Sequence, residues 1–211
     1  MKNEINSSFL LFLFLTACNS SKNLELINSQ FQDSNYVEGR YTGLVGAPSQ
    51  NFKSFTSLWD RLNKRDKIEL AKNGSLVSKF QASEKIVNEK SNEIIEVFKH
   101  NLEDQRTVEY LNGDVKKPTE ISIQMLDRVN ELIKLKSEDS LSIVQSVKIL
   151  PIRIKDFKKA ERRKEIYRPG FVEYLGEELK YAKEIDNWTL GELYSIQRAM
   201  LQEIYQKEKV P

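Results

Sequence analysis

The feature that most constrains this chain is the spacing of its apolar residues from Ser54 onward. Phe55, Leu58, Trp59 and Leu62 recur at three- and four-residue steps, which places them on one face of a helix. The same spacing predicts a short helix over Asp66–Lys72, stopped by Asn73-Gly74, and another between Ser75 and Lys90. Ser91 then caps a helix carrying Ile94, Ile95, Val97, Phe98 and Leu102. A turn is expected around Asn112-Gly113-Asp114 and Pro118, followed by a helix from Thr119 to about Leu135. Further on, Phe171–Ile185 is amphipathic. Thr189-Leu190-Gly191-Glu192 has capping-box spacing ahead of a last helix through Leu193, Tyr194, Met200 and Ile204. With only 8 Gly and 5 Pro in 211 residues, a turn-dense β-sandwich is disfavoured.

Two stretches break the pattern. Tyr36–Phe52, with Gly39, Gly43, Gly46 and Pro48, is expected to be an irregular segment with Tyr36, Tyr41 and Phe52 turned inward. Its glycines lack the Lys-Ser or Lys-Thr pair of a phosphate-binding loop. Leu141–Ile154 is rich in β-branched residues and interrupted by Pro151, so the sequence predicts a short helix, then an extended piece. Asp156–Tyr167 is expected to be a separate charged helix, ended by Arg168-Pro169-Gly170.

The N-terminus carries an address. Lys2 stands in a charged start, the apolar run Phe9–Leu15 follows, and Thr16-Ala17-Cys18 supplies small residues before a cut. These are the three parts of a secretory signal. Seven apolar residues fall far short of the roughly 20 that a membrane-spanning helix needs. Leu15-Thr16-Ala17-Cys18 resembles the lipobox of bacterial lipoproteins, and Cys18 is the chain's single cysteine. The resemblance implies a diacylglycerol and a palmitate-type acyl chain on Cys18, removal of residues 1–17, and anchorage in a bacterial cell envelope. Asn19 is not the aspartate that retains enteric lipoproteins in the inner membrane, so an outer membrane is implied if the host has two.

The expected organisation is therefore a signal peptide (1–17), a flexible lipid-proximal tether (18–35) and a single α-helical domain (36–211). Within it, about 66–108 resembles a HEAT-type helical hairpin: a turn at Asn73-Gly74, then Val77, basic Lys79, small Ala82 and Ile86, then a second helix ending near Leu102 and Asp104. The resemblance implies stacking of paired helices, although no second copy follows at a period of 35 to 45 residues. The expected fold class is mainly α, an irregular helical domain with HEAT-like hairpins as one form of it.

Little in the composition points to catalysis. One cysteine excludes an internal disulfide framework and a cysteine-rich zinc site, and His100 is the only histidine. His100 is expected at a helix end, where it favours the C-terminal dipole. Glu177-Glu178 and Glu184 with Asp186 are the carboxylates that an envelope hydrolase acting on cell wall or a secreted substrate would need. They alternate with Lys180 and Lys183 as a solvated helix face would. No metal, cofactor or catalytic residue is assigned. Lys+Arg 33 against Asp+Glu 31 leaves too small a surplus for a duplex nucleic-acid partner. The densest basic run is Lys155, Lys158, Lys159, Arg162, Arg163 and Lys164. It is the candidate partner-binding site, for an envelope protein, an anionic polymer or anionic phospholipid. The expected function is that of a lipid-anchored, non-enzymatic binding or scaffold module.

Overall fold

A computed structural model describes residues 22–32, 34–42, 47–113, 115–164 and 170–209. Residues 1–21, Cys18 among them, and Gly43 and Gly46 lie outside the described residues. The fold is mainly α, as the helical spacing predicts, with a small sheet of order β2-β1-β3-β4. The described residues fall into two compact units, one within Met1–Ile86 and Glu96–Gln124, the other within Val87–Ile95 and Met125–Pro211.

The first unit begins with a helix over residues 22–30 (α1), in a stretch expected to be tether. Ile27 within it and Phe31 just after it are buried, too few positions to reveal a period. The Asn28 side chain accepts the Ser75 N–H at 3.0 Å, and Phe31 meets Phe55 at 6.2 Å between ring centroids. Tyr36–Thr42 is a strand (β1) rather than an irregular cover, and Ala47–Pro48 (β2) pairs with it antiparallel. Phe52 is buried as expected, whereas Tyr36 is only partly so.

Helix α2 (Gln50–Trp59) is capped by Ser49, whose hydroxyl accepts the Phe52 N–H, and it buries Phe52, Phe55 and Trp59. Helix α3 (Lys64–Asn73) is capped by Asn63 and ends at Gly74. Helices α4 (Leu76–Asn88) and α5 (Ile94–Leu102) follow, apart from their residues 87–88 and 94–95, which belong to the second unit. The chain then leaves α5 for a strand, Thr107–Gly113 (β3), which turns back as Val115–Glu120 (β4). What the sequence suggested as a plain turn at Asn112-Gly113 is thus a hairpin, with Asn112 opposite Val115. Val108 and Tyr110 alternate inward in the period-two manner of a strand. Pro118 is accommodated because β4 is an edge, where a missing N–H breaks no ladder, and exposed Lys116 and Lys117 discourage further pairing there.

Helix α4 is buried nearly all round, so its polar residues require partners inside the unit. Lys79, 5% exposed, forms an ion pair with Asp104 at 2.6 Å, and Asp104 also receives both Nε and Nη2 of Arg106. Asn101 is fully buried and donates to the carbonyls of Ala71 and Val97 and to the Ser83 hydroxyl, tying α5 to α3 and α4. Lys85 lies over the Phe52 ring at 5.0 Å.

The second unit is helical. It takes most of α6 (Ile121–Glu138), then α7 (Ser140–Arg162), α8 (Phe171–Asp186) and α9 (Leu190–Glu208). Its core holds Met125, Val129, Leu132, Leu175, Ile185, Trp188, Leu193 and Met200. Arg128 donates to Asn88 and to Glu131, both at 2.6 Å, and its guanidinium lies over the Tyr181 ring at 5.3 Å. The capping box at Thr189 and Glu192 forms as its spacing predicts.

Helix α7 corrects two expectations at once. Leu141–Ile154 is not a short helix followed by an extended piece, and Asp156 does not start a new helix. One 23-residue helix runs through both, with Pro151 inside it. Ile143, Val147, Leu150, Ile154 and Phe157 follow one another at four- and three-residue steps and turn to the unit's interior, Ile143 buried and the others half-buried. Phe157 meets Phe171 of α8 edge-on at 4.6 Å. Packing of that stripe overrides the β preference of the residues and the cost of the proline.

Candidate binding surface

Helix α7 positions the basic run. Lys155, Lys158, Lys159 and Arg162 stand at steps of three, one and three residues on the outward side, Arg163 is the C-cap, and Lys164 follows with φ of 57°. All six are exposed. The single continuous helix also brings up residues that the expected break had separated from them. Leu141, Lys148, Ile152, Lys155, Lys159 and Arg162 follow at steps of seven, four, three, four and three. At about 100° per residue they share a sector of about 80°. Leu141 is 73% exposed and Ile152 61%, and Ile149, 45% exposed, flanks them. These aliphatic residues and Lys148 were the part that sequence reasoning missed. The inward stripe from Ile143 to Phe157 was the signal that could have found them, because it fixes the opposite face.

The other candidates are dispersed. His100 lies exposed in the last turn of α5, the helix-end setting expected for it. Glu177, Glu178, Glu184 and Asp186 all sit on α8, where Glu184 is buried and Asp186 lies 3.8 Å from Lys136. Among the described residues no group of three or more His, Cys, Asp or Glu side chains could hold a metal ion.

A concavity of about 260 Å³ lies in the second unit, lined by Lys90, Ser91, Ile94, Trp188, Glu192 and Ser195 among others. Lys90 adopts a left-handed φ of 55°, and its ammonium reaches Glu192 at 2.6 Å, the Asn187 carbonyl at 3.1 Å and the Trp188 ring at 5.3 Å. The Lys90 contact, then the Thr189 N–H and hydroxyl, hold the Glu192 carboxyl down to about 2. Glu192 is therefore a fixed anion at neutral pH, employed in capping α9 rather than in proton transfer. Asp104 is likewise pushed well below the usual carboxylate range, chiefly by Arg106 and also by Lys79.

No protein-family model, no curated protein and no solved structure matches the chain. Among the described residues, no helix is long and apolar enough to cross a membrane.

Proposed function

We propose that this chain is a lipid-anchored protein of a bacterial cell envelope that works as a non-enzymatic binding module. One observation carries the reading: a short apolar run leads into Leu15-Thr16-Ala17-Cys18, and Cys18 is the single cysteine of the chain. A thiol there would take a diacylglyceryl group through a thioether, and two or more acyl chains would hold the protein stably at a bilayer. With Asn19 next, the outer membrane is the destination in a host with two membranes.

The binding role is supported by the outward face of α7, where cations and aliphatic side chains stand together in solvent. The two carboxylates with the strongest downward shifts, Asp104 and Glu192, are tied into ion pairs, which suits structure rather than acid–base chemistry. Fractionation of cells expressing the chain tests the anchor. The parent is expected in the membrane pellet after a high-salt wash, and Cys18→Ser in the soluble fraction or retained as a larger, uncleaved precursor. A parent chain that washes off with salt alone would remove the reading.

A further inference from the structure

We infer that the outer face of α7 is a docking surface for an anionic lipid bilayer. Within Leu141–Arg162 the sequence places six cations, Lys148, Arg153, Lys155, Lys158, Lys159 and Arg162, against two acids, Asp156 and Glu161. Glu161 projects toward the opposite side, and Asp156 flanks the sector between Ile152 and Ile149, so the sector itself holds Lys148, Lys155, Lys159 and Arg162 with no acid. All six cations are exposed, and none is held in an ion pair among the described residues. From Lys148 to Arg162 the charges cover about 21 Å of helix at about 1.5 Å per residue. An anionic surface meeting that face would therefore engage several of them together.

Charge alone would suit any polyanion. The aliphatic residues decide the class. Leu141 and Ile152 are the two most exposed large apolar side chains described, and with Ile149 they lie in or beside the sector that carries the cations. A hydrated polymer offers them nothing, whereas a bilayer accepts them below its headgroups while the lysines meet phosphate. The inner face of the same helix is engaged through Ile143 and the Phe157–Phe171 contact, so docking requires no unpacking of the unit. This deepens the reading of α7 as the binding surface but needs no acyl chain. Failure of Cys18 acylation and failure of this docking are therefore separate results.

The test uses the full chain with Cys18→Ser, mixed with vesicles of phosphatidylcholine alone or of phosphatidylcholine with phosphatidylglycerol. The readout is the ratio of the two partition coefficients, from which the contribution of the apolar leader largely cancels. A basic residue at an anionic surface contributes about fivefold. The parent ratio is expected to exceed ~100 and to fall with added salt, while Lys148→Gln/Lys155→Gln/Lys159→Gln/Arg162→Gln lowers it at least ~50-fold. Leu141→Gln/Ile149→Gln/Ile152→Gln is expected to lower partition onto the anionic vesicles at least ~10-fold. Circular dichroism checks that helix content is kept, and the salt series on the parent needs no variant. Equal parent partition onto the two vesicle types, or no release by salt, overturns the inference. So does an aliphatic variant that binds as the parent does, since that behaviour belongs to a site for a soluble polyanion.

Discussion

Asp104→Ala is the substitution whose cost follows most directly from the packing. It removes the carboxylate that holds the Lys79 ammonium at 2.6 Å, and Lys79 is only 5% exposed on a helix enclosed nearly all round. An uncompensated charge at such a depth typically costs about 3–5 kcal/mol. The Asp104 side chain is 14% exposed, so some water reaches the stranded ammonium, and a loss of about 2–4 kcal/mol is expected. Arg106 is 63% exposed on the other side of the same carboxylate, and Arg106→Ala should cost below ~1 kcal/mol. Replacing both buried partners, as in Lys79→Met with Asp104→Leu, should recover most of the loss, because no charge is left buried.

Trp59 in the first unit and Trp188 in the second are the two tryptophans. Urea unfolding followed by fluorescence in a Trp188→Phe background therefore reports the unit that holds Asp104. The carboxyl is depressed in the folded state, so its contribution is complete above the ordinary carboxyl pKa of about 4 and disappears as pH falls below it. The gap between parent and Asp104→Ala should be full at pH 7 and should narrow steadily in acid. A variant within ~0.5 kcal/mol of the parent at pH 7, or a gap that widens in acid, would refute the reasoning.

Three further outcomes follow from single contacts. Pro151→Ala restores the hydrogen bond that a proline denies to the interior of α7 and should stabilise the second unit by about 1–2 kcal/mol, read as a raised urea midpoint. Thr189→Ala removes one half of the capping box of α9 and should cost about 1 kcal/mol in the same titration. Arg128→Lys keeps the charge but loses the fork that serves Asn88 and Glu131 together. It should destabilise by about 1–3 kcal/mol, visible as faster amide exchange in α6.

Much of the helical framework was legible because the segments from Ser54 to Leu102 and from Thr119 to about Leu135 carry clear three-and-four spacing, and because Asn73-Gly74 and Thr189-Leu190-Gly191-Glu192 mark ends by their own chemistry. The strands were not. Val108 and Tyr110 give only two inward positions in β3, and Asn112-Gly113-Asp114 with Pro118 reads locally as a bare turn. In α7 two local signals, β-branching and Pro151, spoke against a helix, while the five-residue stripe from Ile143 to Phe157 spoke for it; buried packing decides such conflicts in favour of the stripe. The basic residues of the surface were visible individually. Their company with Leu141 and Ile152 depended on the helix being continuous, and so stayed hidden.

Anchorage of the proposed kind rests on one covalent bond, a thioether between the Cys18 sulfur and a diacylglyceryl group. An intact mass of the mature chain purified from bacterial membranes measures it directly. The expected product begins at Cys18 and carries the added mass of a diacylglyceryl group, with that addition absent from Cys18→Ser. A chain recovered with residues 1–17 still present, or cut elsewhere with an unmodified thiol, would contradict it.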